Sequence, residues 1–454
     1  MKILFRLGSA VLGVLFVSVT TGVQAAPVSY EREIAPLFRA NCVGCHRASK
    51  QKGGLDLSSS VSIAKGGKHG AIFTPGKPEG SRLMRDISGD EPAMPEGDEP
   101  LSAQEVELIR RWIAEGAVDD SQGEAAKRRL SAAPVYQRLP SVPAIAFSPD
   151  GSLLAVAGWH EVVLHAGDGS AVVGRLVGES PRVESIAFSK DGQLLAVAGG
   201  VPSEVGEVQL WEVAQRKLVR SIKTSGDSLY GVSFSPDAKL VAVGCADKMV
   251  RVFEVEGGRE VMKCDNHIDW VFATAFSQDG KRVISGSRDR ALKLIDLASG
   301  QLIDDVNVPR EPLQCLARHP ADDLAAYGSA DGSIRMNRIE PRGGRLAEGD
   351  NKEHSFVREF GGLPGPVNAL AFSADGTWLA AVSAKGDARV YTVADGKNVS
   401  TLKAPAEALF AVAFHPTQKV VAAAGFDGKV RFFDPIKGGE VLVFDAVPLT
   451  TKAK

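Results

Sequence analysis

Phe147-Ser148-Pro149-Asp150-Gly151 organises most of this 454-residue chain, because it returns. Phe188-Ser189-Lys190-Asp191-Gly192, Phe234-Ser235-Pro236-Asp237-Ala238, Phe276-Ser277-Gln278-Asp279-Gly280 and Phe372-Ser373-Ala374-Asp375-Gly376 repeat it. Phe414-His415-Pro416 holds the same place, and Arg318-His319-Pro320-Ala321-Asp322 is a degenerate copy. A spacing of roughly 42 residues marks a repeat architecture. Each unit runs from an apolar strand through the Phe-Ser-x-Asp-Gly turn into a second strand, then through a Gly-rich turn with an aspartate into a third. Seven units fill 135–445, which makes the larger part of the chain all-β.

Ahead of the repeats stands Cys42-Val43-Gly44-Cys45-His46. Two thiols three apart with a histidine directly after them are what covalent haem attachment requires. On a helical turn i and i+3 share a face, so Cys42 and Cys45 can both reach one porphyrin while His46 presents its imidazole to the iron. Half a zinc site and a redox pair are the other chemistries of such a spacing. Zinc needs a second ligand pair, and the next cysteine is Cys245. Tyr30, Ile34, Leu37 and Phe38 recur at helical spacing before the motif, with Pro36 implying a kink or a late start. Ser102-Ala103-Gln104-Glu105 reads as a capping box opening a helix with Val106, Leu108, Ile109, Trp112 and Ile113 on its apolar stripe, ended by Gly116. Three residues compete for the sixth iron position. Met94 lies in the polar, proline-stiffened loop Asp90-Glu91-Pro92-Ala93-Met94-Pro95-Glu96-Gly97, where a thioether has no obvious core to join. Met84 follows Leu83 in a predicted helix, and His69 in Gly66-Gly67-Lys68-His69-Gly70 would give a bis-histidine site. Methionine–histidine ligation raises the reduction potential relative to two nitrogens.

Covalent haem demands export, and the N-terminus supplies a signal. Lys2 and Arg6 precede an apolar run from Leu7 to Val19, and Val23-Gln24-Ala25 offers small residues for cleavage, so 1–25 reads as a removed signal peptide cut after Ala25, with an uncleaved anchor as the other reading. The periplasm, or the cell exterior, is the compartment this implies. A formal charge of -2 argues against a nucleic-acid partner. Cys245, Cys264 and Cys315 fall in predicted strands and read as buried free thiols.

Glu33-Ile34-Ala35-Pro36-Leu37, the Cys42–His46 motif, Lys52-Gly53-Gly54-Leu55, Pro75-Gly76-Lys77-Pro78-Glu79, Met94-Pro95 and Leu101-Ser102 through Trp112-Ile113-Ala114-Glu115-Gly116-Ala117 together resemble the planctomycete-type cytochrome c domain. That resemblance implies one covalent haem c on Cys42 and Cys45, with His46 and Met94 as axial ligands. The family usually has Met-Pro-Pro, and Glu96 stands where the second proline would be, which implies a less rigid loop. The repeats resemble WD40 units. Val208-Gln209-Leu210-Trp211-Glu212 and Leu292-Lys293-Leu294-Ile295-Asp296 stand at the Trp-Asp ending, Asp247, Asp289, Asp331 and Asp427 match the turn aspartate, and His267 with Asp289 matches two members of the structural hydrogen-bond network. The implied fold is a small all-α cytochrome c domain over 26–120, a linker over 121–134, an all-β seven-bladed WD40-type propeller over 135–445 and a tail over 446–454. Such rings usually close by pairing a strand from the domain's start with those from its end, and Pro134-Val135-Tyr136-Gln137-Arg138-Leu139 is the candidate.

The resulting expectation is an exported electron carrier with a protein-docking propeller, meeting a redox partner protein and other periplasmic proteins, with no firm membrane insertion. A redox enzyme holding a further cofactor in the propeller is the alternative, disfavoured by the scatter of His160, His165, His267, His319, His354 and His415. A haem-based sensor is another, and would need an open coordination position. Val201–Gly206 and Arg342–Lys352 read as insertions that contact partners or lie on tolerated surface, and Trp159-His160 as an exposed loop or part of a channel mouth. Arg47, Lys50, Lys52, Lys65 and Lys68 follow the His46 side while Asp90, Glu91, Glu96, Asp98 and Glu99 surround Met94, so two opposite poles that steer a partner are expected if the segregation persists in three dimensions.

Overall fold

The computed structural model describes residues 27–43, 45–47, 50–57, 60–97, 99–120, 133–307, 310–340, 355–404 and 407–449. They fall into two compact units dividing between Ala126 and Lys127. The expected signal over 1–25, most of the linker and the Arg342–Lys352 insertion lie outside the described residues.

The first unit is helical. A π-helical turn over Tyr30–Ile34 leads into α1, Ala35–Asn41, with Pro36 in the first turn, where a missing N–H leaves no bond unmade. Pro36 therefore marks the start of α1. Short helices α2 (Ser60–Lys65) and α3 (Arg82–Ile87) follow, then α4 (Ala103–Ala114). The capping box forms: the Ser102 hydroxyl accepts from the Glu105 amide at 3.3 Å and the Glu105 carboxylate accepts from the Ser102 amide at 2.8 Å. At the other end Gly116 takes φ +103°, and Ala117 N–H bonds the Trp112 carbonyl at 2.8 Å, a left-handed cap open to glycine without a Cβ penalty. The stripe of α4 buries Ile109, Trp112 and Ile113 against Ile34 and Phe38. Trp112 meets Phe73 edge-on with ring centres 5.1 Å apart and donates its indole N–H to the Val118 carbonyl at 3.2 Å, so its ring and its polar tip are both used. One small addition to the helices is a two-residue hairpin, His46–Arg47 with Lys50–Gln51.

The second unit is a propeller of seven blades. Among the described residues it comprises five four-stranded antiparallel sheets and one of seven strands. In the latter, the 17-residue strand Val172–Phe188 is both the last strand of blade one and the first of blade two. The recurring turn explains itself chemically. Ser277 Oγ donates to Asp279 at 2.6 Å and accepts the Arg282 amide at 3.0 Å, while Asp279 accepts the Lys281 amide at 3.0 Å and Gly280 sits at φ +69°. The same bonds recur at Ser148, Ser189, Ser235 and Ser373. The Val201–Gly206 insertion is an extension of the hairpin between Leu194–Val201 and Val205–Glu212, tied down by Ser203 N–H to Asp227 at 3.0 Å.

His319 and His415 replace that serine by a different device. His415 Nδ1 accepts the amides of Thr417 and Gln418 at 3.2 and 3.0 Å, which leaves Nε2 to donate to the Gly151 carbonyl of blade one at 3.1 Å. His319 makes the same reach from blade five to Gly376 of blade six at 3.2 Å. The seam between blades seven and one is thus an ordinary inter-blade contact, which corrects the expected strand exchange. Blade seven takes all four strands from Leu409–Asp445, and Pro134–Leu139 contributes only a single parallel bridge, Tyr136 to Leu449. What closes the ring is side-chain packing of Val142, Ile145, Leu154 and Val156 on Ala422, Ala424, Val430 and Phe432, with His165 Nε2 donating to the Ala446 carbonyl at 3.0 Å.

This seam is sensitive to acid. Burial holds both His165 and His415 below the ordinary imidazole value of 6.5. Their contribution is complete above the unfolded value and is lost as pH falls through the lower folded one. Protonated Nδ1 of His415 would also face two amide N–H groups. The propeller is expected to unfold at less urea at pH 5 than at pH 7, and His415→Gln should flatten that dependence while costing stability at pH 7. A slope unchanged in the variant would remove His415 as its source.

Candidate haem site

Helix α1 delivers Cys42 at its C-cap, and the chain then closes one further turn: Cys45 and His46 amides both bond the Cys42 carbonyl, at 3.2 and 3.0 Å. This puts the two thiols and the imidazole on one turn. Burial raises the Cys42 thiol to about 11, so it is protonated at neutral pH. Beyond the turn, Lys52 N–H bonds the Cys45 carbonyl at 3.3 Å and the Lys52 carbonyl lies 3.0 Å from His46 Nδ1. A carbonyl only accepts, so Nδ1 carries the proton and Nε2 keeps a free lone pair for a metal.

Met94 lies in the loop that follows α3. Its amide donates to the Asp86 carbonyl in the last turn of α3 at 2.9 Å, and its side chain is half-buried on the apolar cluster that also takes Cys42, Val43, Leu55 and Phe73. The polar loop thus reaches the core through one side chain. Met84 is 3% exposed within that core, and His69 is exposed on a loop closed by a Gly67–Gly70 bridge. Two thiols and an imidazole with a free Nε2 on one turn, with a thioether packed on the apolar cluster that also takes Cys42, are a donor set that fits haem c.

Glu96 is the residue whose role the sequence concealed. Its carboxylate accepts from Lys52 Nζ at 3.0 Å, and this bond holds the Glu96 carboxyl below its ordinary pKa and the Lys52 ammonium above its own. The basic and acidic stretches therefore meet at this pair; Asp98 lies outside the described residues.

In the propeller every described histidine is already engaged. His160 Nδ1 lies 3.1 Å from the Glu179 carbonyl, and His267 bonds Asp289 and Ser285, both at 2.8 Å. His354 lies outside the described residues. Among the described residues no group of three or more His, Cys, Asp or Glu side chains gathers as a metal cage. A cavity of about 210 Å³ lined by Asn307, Tyr327, Asp331, Arg335 and Glu359 is small for an organic cofactor. Trp159 is half-exposed, its backbone pinned by the Tyr136 hydroxyl, which donates to the buried Glu161 carboxylate at 2.7 Å. Other unforeseen pairs are Asp247 with Arg251 and Asp427 with Arg431, where the turn aspartate meets an arginine four residues on. Their signal is the spacing itself, readable once the strand is placed.

Comparison with known proteins agrees with this geometry. Residues 42–98 match the family described as Planctomycete cytochrome C, and 216–254, 258–296, 355–392 and 396–434 match the WD domain, G-beta repeat. A relative from Schizosaccharomyces pombe, the periodic tryptophan protein 2 homolog, is 28% identical over 137 residues, which is 30% of this chain and 15% of that protein. The chain thus spans only a small part of the curated relative it matches. The crystal structure of the computationally designed Ika8 protein superposes with a TM-score of 0.52 at 19% identity, over 68% of this chain and 89% of its own, a likeness of fold alone. The chain joins a haem-binding domain of the planctomycete cytochrome c type to WD40 repeats folded as a propeller, a scaffold that generally mediates protein–protein interaction.

Proposed function

We propose that this is an exported c-type cytochrome that passes electrons through one haem c, covalently held by Cys42 and Cys45 and ligated by His46 and Met94, with the propeller over 135–445 as the surface that docks other proteins. The observation that carries the reading is that Met94 packs on the apolar cluster that also takes Cys42, while Lys52 meets His46 Nδ1 through its carbonyl and Glu96, two residues past Met94, through its ammonium, both at 3.0 Å. The haem would supply reversible one-electron chemistry at its iron. Cys42 and Cys45 would hold the ring as thioethers, each S–H adding across a vinyl group with no oxidant required. His46 would offer Nε2 and Met94 its sulfur to the iron, with Leu55 and Phe73 packed on the same apolar cluster as Met94. Engagement of the described propeller histidines in bonds of their own supports a scaffold over a second redox centre.

Met94→Ala tests it. The variant is expected to bind carbon monoxide when reduced, which the parent should not, and to lose on the order of 0.1 V or more of reduction potential, within the roughly 0.8 V that axial ligation spans. Met84→Ala should keep the parent spectrum and cost about 2–5 kcal/mol of domain stability. A parent that already binds carbon monoxide would favour the sensor, and a ligand-loss spectrum in Met84→Ala would move the sixth ligand there.

A further inference from the structure

We infer that Lys52 and Glu96 form a latch that holds the Met94 loop against the haem-attachment turn, and so sets how readily Met94 gives way to a competing ligand. The inference rests on the proposed His46 and Met94 axial pair.

Lys52 meets His46 on one side of that pair and, on the other, Glu96 in the Met94 loop. Its backbone carbonyl faces His46 Nδ1 at 3.0 Å and its amide bonds Cys45, while its ammonium reaches 3.0 Å across to Glu96, two residues beyond Met94. A second tie of the loop is the Met94 amide on the Asp86 carbonyl at 2.9 Å, on the near side of the thioether. The Lys52–Glu96 pair holds the far side, so the two contacts bracket Met94. Proline in place of Glu96 would fix one backbone dihedral, whereas Glu96 leaves that dihedral free and supplies a tertiary tie. Such a tie is adjustable where a proline is not. The side chains are 49% and 66% exposed, so salt weakens the pair directly. Exchanging either side chain leaves the Lys52 carbonyl, and with it the His46 orientation, in place. That separates the latch from general support of the haem turn. Lys52 and Glu96 are thus positioning residues: neither touches the iron, and each acts through the sulfur it holds.

The test titrates the ferric holoprotein with imidazole while following the far-red charge-transfer band of methionine-ligated iron. Glu96→Lys and Lys52→Glu are each expected to bind imidazole roughly two- to five-fold more tightly, the scale of an exposed ion pair. Lys52→Arg should behave as the parent, and the exchange Lys52→Glu with Glu96→Lys should return the affinity to the parent value. Added salt should tighten imidazole binding in the parent and leave Glu96→Gln unmoved. Haem content and the reduced spectrum control for folding in each variant. Single variants that bind imidazole like the parent, or an exchange that fails to restore it, overturn the latch while Met94→Ala still reports ligand loss. A parent without the methionine band, and unchanged by Met94→Ala, overturns the axial pair and the latch together.

Discussion

Serine at both Cys42 and Cys45 is expected to leave a protein from which acid–acetone removes every trace of haem, against retention of all of it by the parent. The effect is complete because a hydroxyl does not form the thioether, and each single variant should keep one bond and an altered vinyl-sensitive spectrum. Loss of the ring would also expose the wall it covers, including Leu55, Phe73 and Met94, so the domain should unfold at lower urea than the parent. Denaturing electrophoresis with haem staining gives an independent readout. Complete extraction of haem from the parent would reduce Cys42 and Cys45 to packing residues and return the site to the redox or zinc chemistries of a CxxC pair.

Asp289→Ala is expected to cost the propeller about 3–5 kcal/mol while leaving the haem spectrum unchanged. Asp289 and His267 are 3% and 1% exposed at their side chains. The carboxylate accepts from His267 Nδ1 at 2.8 Å and from the Ile268 and Ala291 amides, both at 3.0 Å, and alanine would strand all three donors. Burial alone would raise this carboxyl, yet the bonds from His267 and the two amides outweigh it and hold the group at about 2. Its stabilisation is therefore complete above the unfolded value of 3.8 and is lost as pH falls through about 2. Urea unfolding at pH 7 should show a lower midpoint at an unchanged slope, and the parent's extra decline in stability between pH 4 and 2 should be missing from the variant. A cost below about 1 kcal/mol would mean that water satisfies the stranded groups and that blade four does not depend on this pair.

By itself the sequence determined what short-range chemistry can write. The Phe-Ser-x-Asp-Gly turns were legible because their bonds span two to five residues, Ser277 to Arg282 being typical. The same holds for the Ser102–Glu105 capping box, the Gly116 helix end and the Cys42–His46 turn, closed by two bonds to one carbonyl. Repetition then gave the propeller, since units that cannot bury their own faces must stack. Tertiary structure alone decided which distant groups meet. Glu96 reads as a lost proline until the chain brings it to Lys52, and the two charge runs look like separate poles until that contact joins them. Tyr136 reads as part of an added strand, yet its hydroxyl is drawn to Glu161, and His415 to Gly151 closes the seam in its stead. The physical reason is one of range: a turn is favoured by bonds its own residues supply, whereas a pairing across a fold depends on where every intervening element packs.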